Sequence, residues 1–376
     1  MTAVIEIAKK WTARYLFFWA GLVLAERRPR IIGVTGSVGK TTSKEAIATV
    51  LIEGARRGRI DTVGKSENNL NSELGLPLAI LRFHQSPGNS LIGWLVVFVA
   101  VPFRAIMLAT ILAYPSILVL EYAADRPGDI ARLVKLARPL VACITAVGPA
   151  HLERFGSIDR VLEEKGNLAR ASMPDGLVVL PKDDRVAMRV KKWAPGRVVA
   201  VPGRGLDLAV AIAIQVGRYF GVSEKVAKKV LKGFHSLHGR LEHKKIGSIE
   251  VIDDTYNANP LSMELALDTL TERAKRGVRR VAILGDMREL GPESPAFHEV
   301  IGRQARQQAD LVIGVGELAR YYLGQAWYPT SQQASQEIVG FLRPKDLVLV
   351  KGSRGIHMER IVQAIIQGWK GQRDKR

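Results

Sequence analysis

A single cysteine stands among the 376 residues: Cys143, inside the apolar run 140–145. With no second thiol the chain can form no internal disulfide, so its stability must come from a buried core, and the composition suits a reducing compartment. Acidic residues are also scarce: 36 Asp and Glu face 55 Lys and Arg, a formal net charge of +19. That excess suits an anionic partner, whether nucleic acid, an anionic membrane face or a multiply anionic small substrate. Zinc-finger spacing and aromatic-studded basic strands are both missing, which argues against nucleic acid as the partner. No small-residue cleavage site follows the first apolar segment, which argues against a cleaved signal, and the chain carries no internal repeat or low-complexity tract.

What remains is a globular composition, 47% hydrophobic and 24% charged, long enough for two or three domains with real cores. Two apolar segments stand out. Residues 4–24 carry Trp11, Tyr15, Leu16, Phe17, Phe18 and Trp19 among Lys9, Lys10 and Arg14, with Arg27, Arg28 and Arg30 following. The pattern reads as a basic-flanked helix for a membrane surface or a docking partner. Residues 91–113 contain one charge, Arg104, and by length alone could span a bilayer. Pro102 is expected to divide them into two halves of eleven residues, each roughly 16 Å as helix and too short to cross. A crossing would also separate the phosphate-binding loop described next from every later motif. The expectation is therefore an interfacial or protein-packed helix pair.

The strongest functional signal is Gly33-Val34-Thr35-Gly36-Ser37-Val38-Gly39-Lys40-Thr41-Thr42, placed after Ile31-Ile32 and before a helical stretch. Glycines let successive backbone N–H groups converge on a phosphate, and the helix N-terminus adds its positive dipole end. Lys40 reaches the outer phosphates and a Thr hydroxyl holds Mg²⁺, so a nucleoside triphosphate is the natural ligand. Val34 occupies the position where the generic P-loop expression has glycine, so the loop is a variant of it.

Helix-compatible residues 43–57 follow the loop. Strand-like runs then recur at 117–120, 141–145, 177–180 and 198–201, and a second series at 250–253, 281–284, 311–315 and 347–350, with helical stretches between them. Such alternation indicates parallel sheets covered by helices, with ligands at the carboxyl ends of strands. The fold class is α/β: a P-loop central domain with a mostly parallel sheet, and a Rossmann-like C-terminal α/β domain. The Gly233, His235, Ser236, His238 and Gly239 cluster marks the boundary. The domains are then an apolar, basic helix over 1–30, a central domain over 31–235 with an apolar insertion at 91–113, and a C-terminal domain over 236–376.

Glu121 closes the run 117–120, where a P-loop sheet places a Mg²⁺ ligand, and His151 follows the next strand in the same topological position. Lys165, on a helix with no motif of its own, reads by itself as part of a solvated face. Arg240 could grip phosphate bidentately, and Asp254 could accept from ribose hydroxyls. The segments 285–291 and 351–355 each follow a strand and suit a small polar ligand.

Taken in order, the loop, Asn69-Leu70-Asn71 through Pro77, 151–157, 254–260, 285–291 and 351–354 resemble the Mur ligase family of ATP-dependent amide-forming enzymes, over roughly residues 31–365. The resemblance implies transfer of the ATP γ-phosphate to a substrate carboxylate, then displacement of phosphate by an amine. It implies ATP contact by Gly33, Thr35, Gly36, Ser37, Val38, Gly39, Lys40, Thr41, Thr42, Arg240 and Asp254. Two Mg²⁺ ions would be held by Thr41, Glu121, His151 and Lys165, the last carbamylated by CO2, with Lys40, His151 and Lys165 as the catalytic set. Asn69, Asn71, Asn257, Asn259, Asp286, Lys351, Ser353 and Arg354 would face substrate. The implied partners are a UDP-sugar-peptide-like cell-wall precursor and a dipeptide or amino acid, in the cytoplasm, at the inner membrane face if the apolar segments dock there.

The sequence also departs from the family. About 30 residues precede the P-loop strand, where the family has a UDP-sugar-binding domain, and 184–201 is short. Gly203-Arg204-Gly205-Leu206-Asp207 stands where the family's adenine signature is expected. Two other readings are another peptide or glutamate ligase of the superfamily, and a membrane-attached nucleotide-binding scaffold that no longer ligates.

Overall fold

The computed structural model describes residues 2–67, 69–234 and 237–371, with side chains from Ile7 to Trp369. His235 and Ser236 of the expected boundary cluster, and most of the basic tail, lie outside the described residues. The chain forms two compact units: Met1–Val147 with Ile158–Phe234, and Gly148–Ser157 with His235–Arg376.

The first unit is built on a six-stranded, all-parallel sheet: β1 (Arg30–Thr35), β2 (Val63–Lys65), β3 (Ile117–Glu121), β4 (Val141–Ile144), β5 (Leu177–Pro181) and β6 (Arg197–Val201), in the order β2-β3-β1-β4-β5-β6. The central strands β1, β3, β4 and β5 are buried almost throughout, as expected of a sheet covered on both faces. One face packs on Ile47, Val50 and Leu51 of α2 (Lys40–Arg56) and on Ile212 and Val216 of the helix Gly205–Tyr219. Helix α2 starts at Lys40, three residues earlier than the sequence suggests.

Helix α1 (Thr2–Arg27) leads directly into β1. After α3 (Gly75–Ile80), residues Leu91–Thr110 form α4. This corrects the expectation of two half-helices, because α4 runs unbroken through Pro102. Proline has no N–H to offer the carbonyl four residues back, which is that of Phe98. The Tyr15 hydroxyl of α1 donates to that carbonyl at 2.7 Å, so the lost bond is replaced from outside the helix. Arg27 likewise donates to the Leu108 and Leu112 carbonyls at 2.7 and 2.9 Å, satisfying the end of α4. Because Tyr15 meets Phe98 and Arg27 meets Leu108, the two helices run parallel. Arg104, the one charge in α4, donates 2.6 Å bonds to the Leu81 and Arg82 carbonyls at the end of α3.

The inner face of α4 buries Val97, Val101, Ala105 and Leu108. Its outer face leaves Leu91 87%, Leu95 66%, Val99 61% and Phe103 69% exposed. Among the described residues, α4 alone is long and apolar enough to cross a membrane.

The second unit holds β7 (Glu242–Ile246), β8 (Ile249–Asp254), β9 (Arg280–Gly285), β10 (Leu311–Val315), β11 (Ala326–Tyr328) and β12 (Leu347–Lys351), in the order β11-β10-β9-β12-β8-β7. All pairs are parallel except the β7–β8 hairpin. Ile283, Val348, Val350, Ile361 and Ile365 lie at the centre of its core. Residues Gly148–Ser157, placed by sequence in the central domain, pack with this unit instead. Glu153 donates its N–H to the Glu289 carbonyl, and Gly148 lies so close to Leu261 that a Cβ there would be 3.0 Å from its Cδ2.

Candidate active site

In the first unit the phosphate loop sits at the carboxyl edge of three adjacent strands, β3, β1 and β4, with Val34 in register with Glu121 and Thr35 with Ile144. Two of its glycines are required by geometry. Gly36 has φ +148°, and a Cβ there would lie 2.0 Å from Thr145 Oγ1, so the backbone is pressed against β4's end. Gly39 caps α2 in the left-handed region at φ +83°. Thr145 ties the loop down by donating to the Thr35 carbonyl, and Ser37 donates its N–H to the Ala146 carbonyl at 2.6 Å. Lys40 curls back onto the Gly36 carbonyl at 2.9 Å, and Thr41, the next residue of α2, is buried.

Glu121 is buried at the end of β3 and accepts from the Asn71 amide at 2.9 Å. Asn71, expected to face substrate, thus orients the carboxylate that the sequence assigns to metal. Asn69, two residues earlier, is exposed in a left-handed turn at φ +66°.

Lys165 lies on α7 (Ile158–Arg170), whose Leu168 packs against Gly33 of β1. Its side chain is not on a solvated face: only 2% of the residue is exposed. Burial, then the charge of Lys40, pull the amine down to about 7, against the opposing pull of Glu164, Asp125 and Asp129. Its neighbour Glu164 was not singled out from sequence. It accepts from the Gly128 and Ile130 N–H groups, holding the start of α5 (Asp129–Leu136) against α7.

The residues present fit Mg²⁺ and a nucleotide. The loop is a concave backbone nest, and Thr41 and Glu121 offer hard oxygen donors.

In the second unit, His151 caps the short helix α6 (Leu152–Phe155) at φ +53°, and its Nδ1 lies 2.5 Å from Glu289 Oε2. Lys351 and Asp254 form a buried ion pair at 2.7 Å, with Lys351 also donating to the Asn257 carbonyl. Asp254 Oδ1 accepts from the Leu241 N–H. Ser353 accepts from the Arg288 N–H and donates to the Ala258 carbonyl.

Three substrate assignments meet different geometry. Asn259 closes a capping box with Ser262 on the helix Pro260–Arg273, so its amide belongs to the helix start. Asp286 turns inward to accept from the Ala319 N–H, and burial raises its pKa. Lys351 is engaged by Asp254. What faces outward is a cluster sequence reasoning did not assemble: Tyr256 with the guanidinium carbons of Arg240 and Arg354 at 3.8 and 5.3 Å from its ring centroid. Its components flank the strands where the motifs lie, but their stacking required the fold.

A phosphate loop on a parallel α/β sheet, followed by a second α/β unit with its own basic cluster, is the architecture of a nucleotide-dependent ligase. Residues 34–92 and 105–218 match the Mur ligase middle domain, and residues 239–354 match the Mur ligase glutamate ligase domain. The chain belongs to the Mur ligase family of ATP-dependent peptide ligases. The UDP-N-acetylmuramoyl-tripeptide--D-alanyl-D-alanine ligase of Bacillus subtilis is 28% identical over 98% of this chain and 80% of its own length. The Mycobacterium leprae enzyme of the same name is 27% identical over 89% and 73%. Among solved structures, MurF ligase from Thermotoga maritima in complex with ADP superposes with a TM-score of 0.78 at 25% identity, covering 96% of this chain and 84% of that one. The unmatched stretch 93–104 falls inside α4.

Proposed function

We propose that this ligase joins D-alanyl-D-alanine, or a similar amino component, to a UDP-N-acetylmuramoyl-peptide-like acceptor through an acyl phosphate. The observation that carries the reading is Lys165, a buried amine drawn down to about 7 beside the phosphate-loop lysine. A structural lysine gains nothing from such a position, whereas a nucleophile toward CO2 needs its lone pair free. The neutral Nζ bonds to the CO2 carbon and loses one proton to solvent, leaving a carbamate with a single negative charge.

On the first unit Thr41, Glu121 and the Lys165 carbamate would hold Mg²⁺, which would supply Lewis acidity to the phosphoryl oxygens, and His151 on the second unit stays a candidate ligand of the two-ion set that the family resemblance implies. The loop N–H groups and Lys40 orient the γ-phosphate of ATP toward the acceptor carboxylate. The phosphorus–oxygen bond to ADP breaks as the bond to the carboxylate oxygen forms. The amine then attacks the acyl carbon and inorganic phosphate leaves. Arg240 and Arg354, spread on Tyr256, are cationic groups suited to the nucleotide phosphates or the anionic acceptor. Asn69, Asn257 and Ser353 stay as substrate-side groups, whereas Asn71, Asn259, Asp286 and Lys351 position the others.

We place the enzyme in the cytoplasm, in peripheral contact with the inner membrane face through segments 4–24 and 91–113. The exposed apolar face of α4 favours this contact. The Arg104 bonds to the end of α3 hold the middle of α4 along the first unit, an orientation that suits lying on a bilayer rather than crossing it.

The deciding assay supplies Mg-ATP, UDP-N-acetylmuramoyl-tripeptide and D-alanyl-D-alanine, and follows phosphate release with the amide product by mass. Product that depends on bicarbonate and disappears in Lys165→Ala supports the reading. ATP binding without turnover on any acceptor returns the scaffold reading.

A further inference from the structure

A groove of about 1020 Å³ runs along the side of α1 that faces α5. Its α1 wall comprises residues at positions 10, 13, 14, 17, 18, 21, 24 and 25, the three-to-four spacing of one helix face. Four cations line it, Lys10, Arg14, Arg132 and Lys135, against one acid, Glu73. Arg132 is partly occupied, since it pairs with Asp129 at 2.5 Å and approaches Glu73 at 3.8 Å. Lys10, Arg14 and Lys135 are exposed and make no ion pair among the described residues; Arg14 rests over the Trp11 ring. The apolar lining lies on α1, where Phe17, Phe18 and Leu24 stand, and Gly21 opens space opposite Leu136, the one apolar residue of the facing wall.

Lys10, Arg14 and Lys135 leave positive charge uncompensated beside an apolar α1 face, a pairing that a soluble sugar or a free phosphate would use only in part. The groove is complementary to a hydrocarbon chain ending in an anionic headgroup. Such a ligand is abundant only in a bilayer, and the parallel neighbour α4 exposes the apolar face already described. We propose that this groove is a binding site for single anionic phospholipids of the membrane surface, with the phosphate between Lys10, Arg14 and Lys135 and the chain along Phe17 and Phe18. The inference rests on the membrane contact proposed above and gives that contact its lipid selectivity. Apolar insertion of α4 drives attachment to any bilayer, while the groove distinguishes anionic from zwitterionic lipid.

The full chain is tested by flotation with phosphatidylcholine vesicles and with vesicles containing phosphatidylglycerol. A parallel titration uses dihexanoylphosphatidylglycerol, dihexanoylphosphatidylcholine and inorganic phosphate, each below micelle formation, read by thermal shift. Each cation near the surface strengthens anionic binding about fivefold, so Lys10→Gln/Arg14→Gln/Lys135→Gln should cost roughly a hundredfold on phosphatidylglycerol vesicles and nothing on phosphatidylcholine. Gly21→Leu fills the trough without altering charge and should abolish the short-chain phosphatidylglycerol shift while ATP-dependent turnover is unchanged. Leu95→Ser/Phe103→Ser on α4 should weaken binding to both vesicle types.

Equal binding of wild type to both vesicles overturns the groove and leaves membrane contact standing. No binding to either vesicle overturns the membrane contact and the groove with it. A phosphate-induced shift equal to that of the short-chain lipid, or a Gly21→Leu chain that still responds to that lipid, removes the hydrocarbon part of the site.

Discussion

The Tyr15 hydroxyl reaches 2.7 Å across to the carbonyl of Phe98, the residue whose helical partner is removed by Pro102. One side chain thus repairs the defect of another element. Tyr15→Phe should cost about 1–2 kcal/mol, the price of an orphaned carbonyl in a partly buried setting. In a Pro102→Ala background the helix supplies its own N–H, and the same Tyr15→Phe change should cost only a few tenths. A double-mutant cycle by urea unfolding reads the coupling; additive single changes would separate the two residues.

The phosphate loop distinguishes two glycines that sequence treats alike. Gly36→Ala drives a Cβ to within 2.0 Å of Thr145 Oγ1, so it should raise the KM for ATP at least tenfold and lower the Tm. Gly39→Ala meets nothing closer than 3.8 Å and carries only the left-handed strain of φ +83°, about 1 kcal/mol. Isothermal titration with ADP on both variants tests the ranking.

Lys165 makes stability depend on pH in bicarbonate-free buffer. Below pH 7 the amine is protonated in both folded and unfolded chains, and the cost of burying its charge is fully present. Between pH 7 and 10.5 the unfolded chain binds more protons, so stability should rise with pH, by about 5 kcal/mol at most. Lys165→Met should flatten that rise and be the more stable protein at pH 6.5, while losing at least a hundredfold in ligase turnover. Denaturant midpoints at pH 6.5 and 9 measure the first effect and phosphate release the second.

The Asp254–Lys351 pair is buried on both sides. Lys351→Met leaves Asp254 charged and uncompensated and should cost about 3–5 kcal/mol. Asp254→Asn/Lys351→Met removes both charges and should recover most of that loss. Equal destabilisation of single and double variants would show that the bonds to the Leu241 N–H and the Asn257 carbonyl dominate instead.

Both sheets were legible because their central strands are unbroken apolar runs, such as Ile117-Leu118-Val119-Leu120 and Leu347-Val348-Leu349-Val350, and the phosphate loop was legible because its chemistry is local. Strand β7 escaped notice: Glu242-His243-Lys244-Lys245 lies on an edge with half its side chains in solvent, and polar edge strands carry little hydrophobic signal. Continuity of α4 through Pro102 could not be read, since the compensating hydroxyl lies 83 residues away. Burial of Lys165 was equally hidden, because a lysine on a helix reads as solvated until its face is known. The capping role of Asn259 was visible in principle, in Asn259-Pro260 followed by Ser262 at the third helical position. The motif's resemblance drew it toward substrate instead.

Because Gly148–Ser157 packs with the second unit while its flanks belong to the first, the polypeptide passes between the units three times. A fragment beginning at 237 would therefore lack part of its own packing, including the Glu289 contact to His151. A single protease cut near Phe234 would not release independent halves, since the amino-terminal piece keeps a segment embedded in the other body. The ten-residue excursion acts as a covalent stitch rather than a linker, and exchanging one unit between family members would have to carry both of its pieces at once.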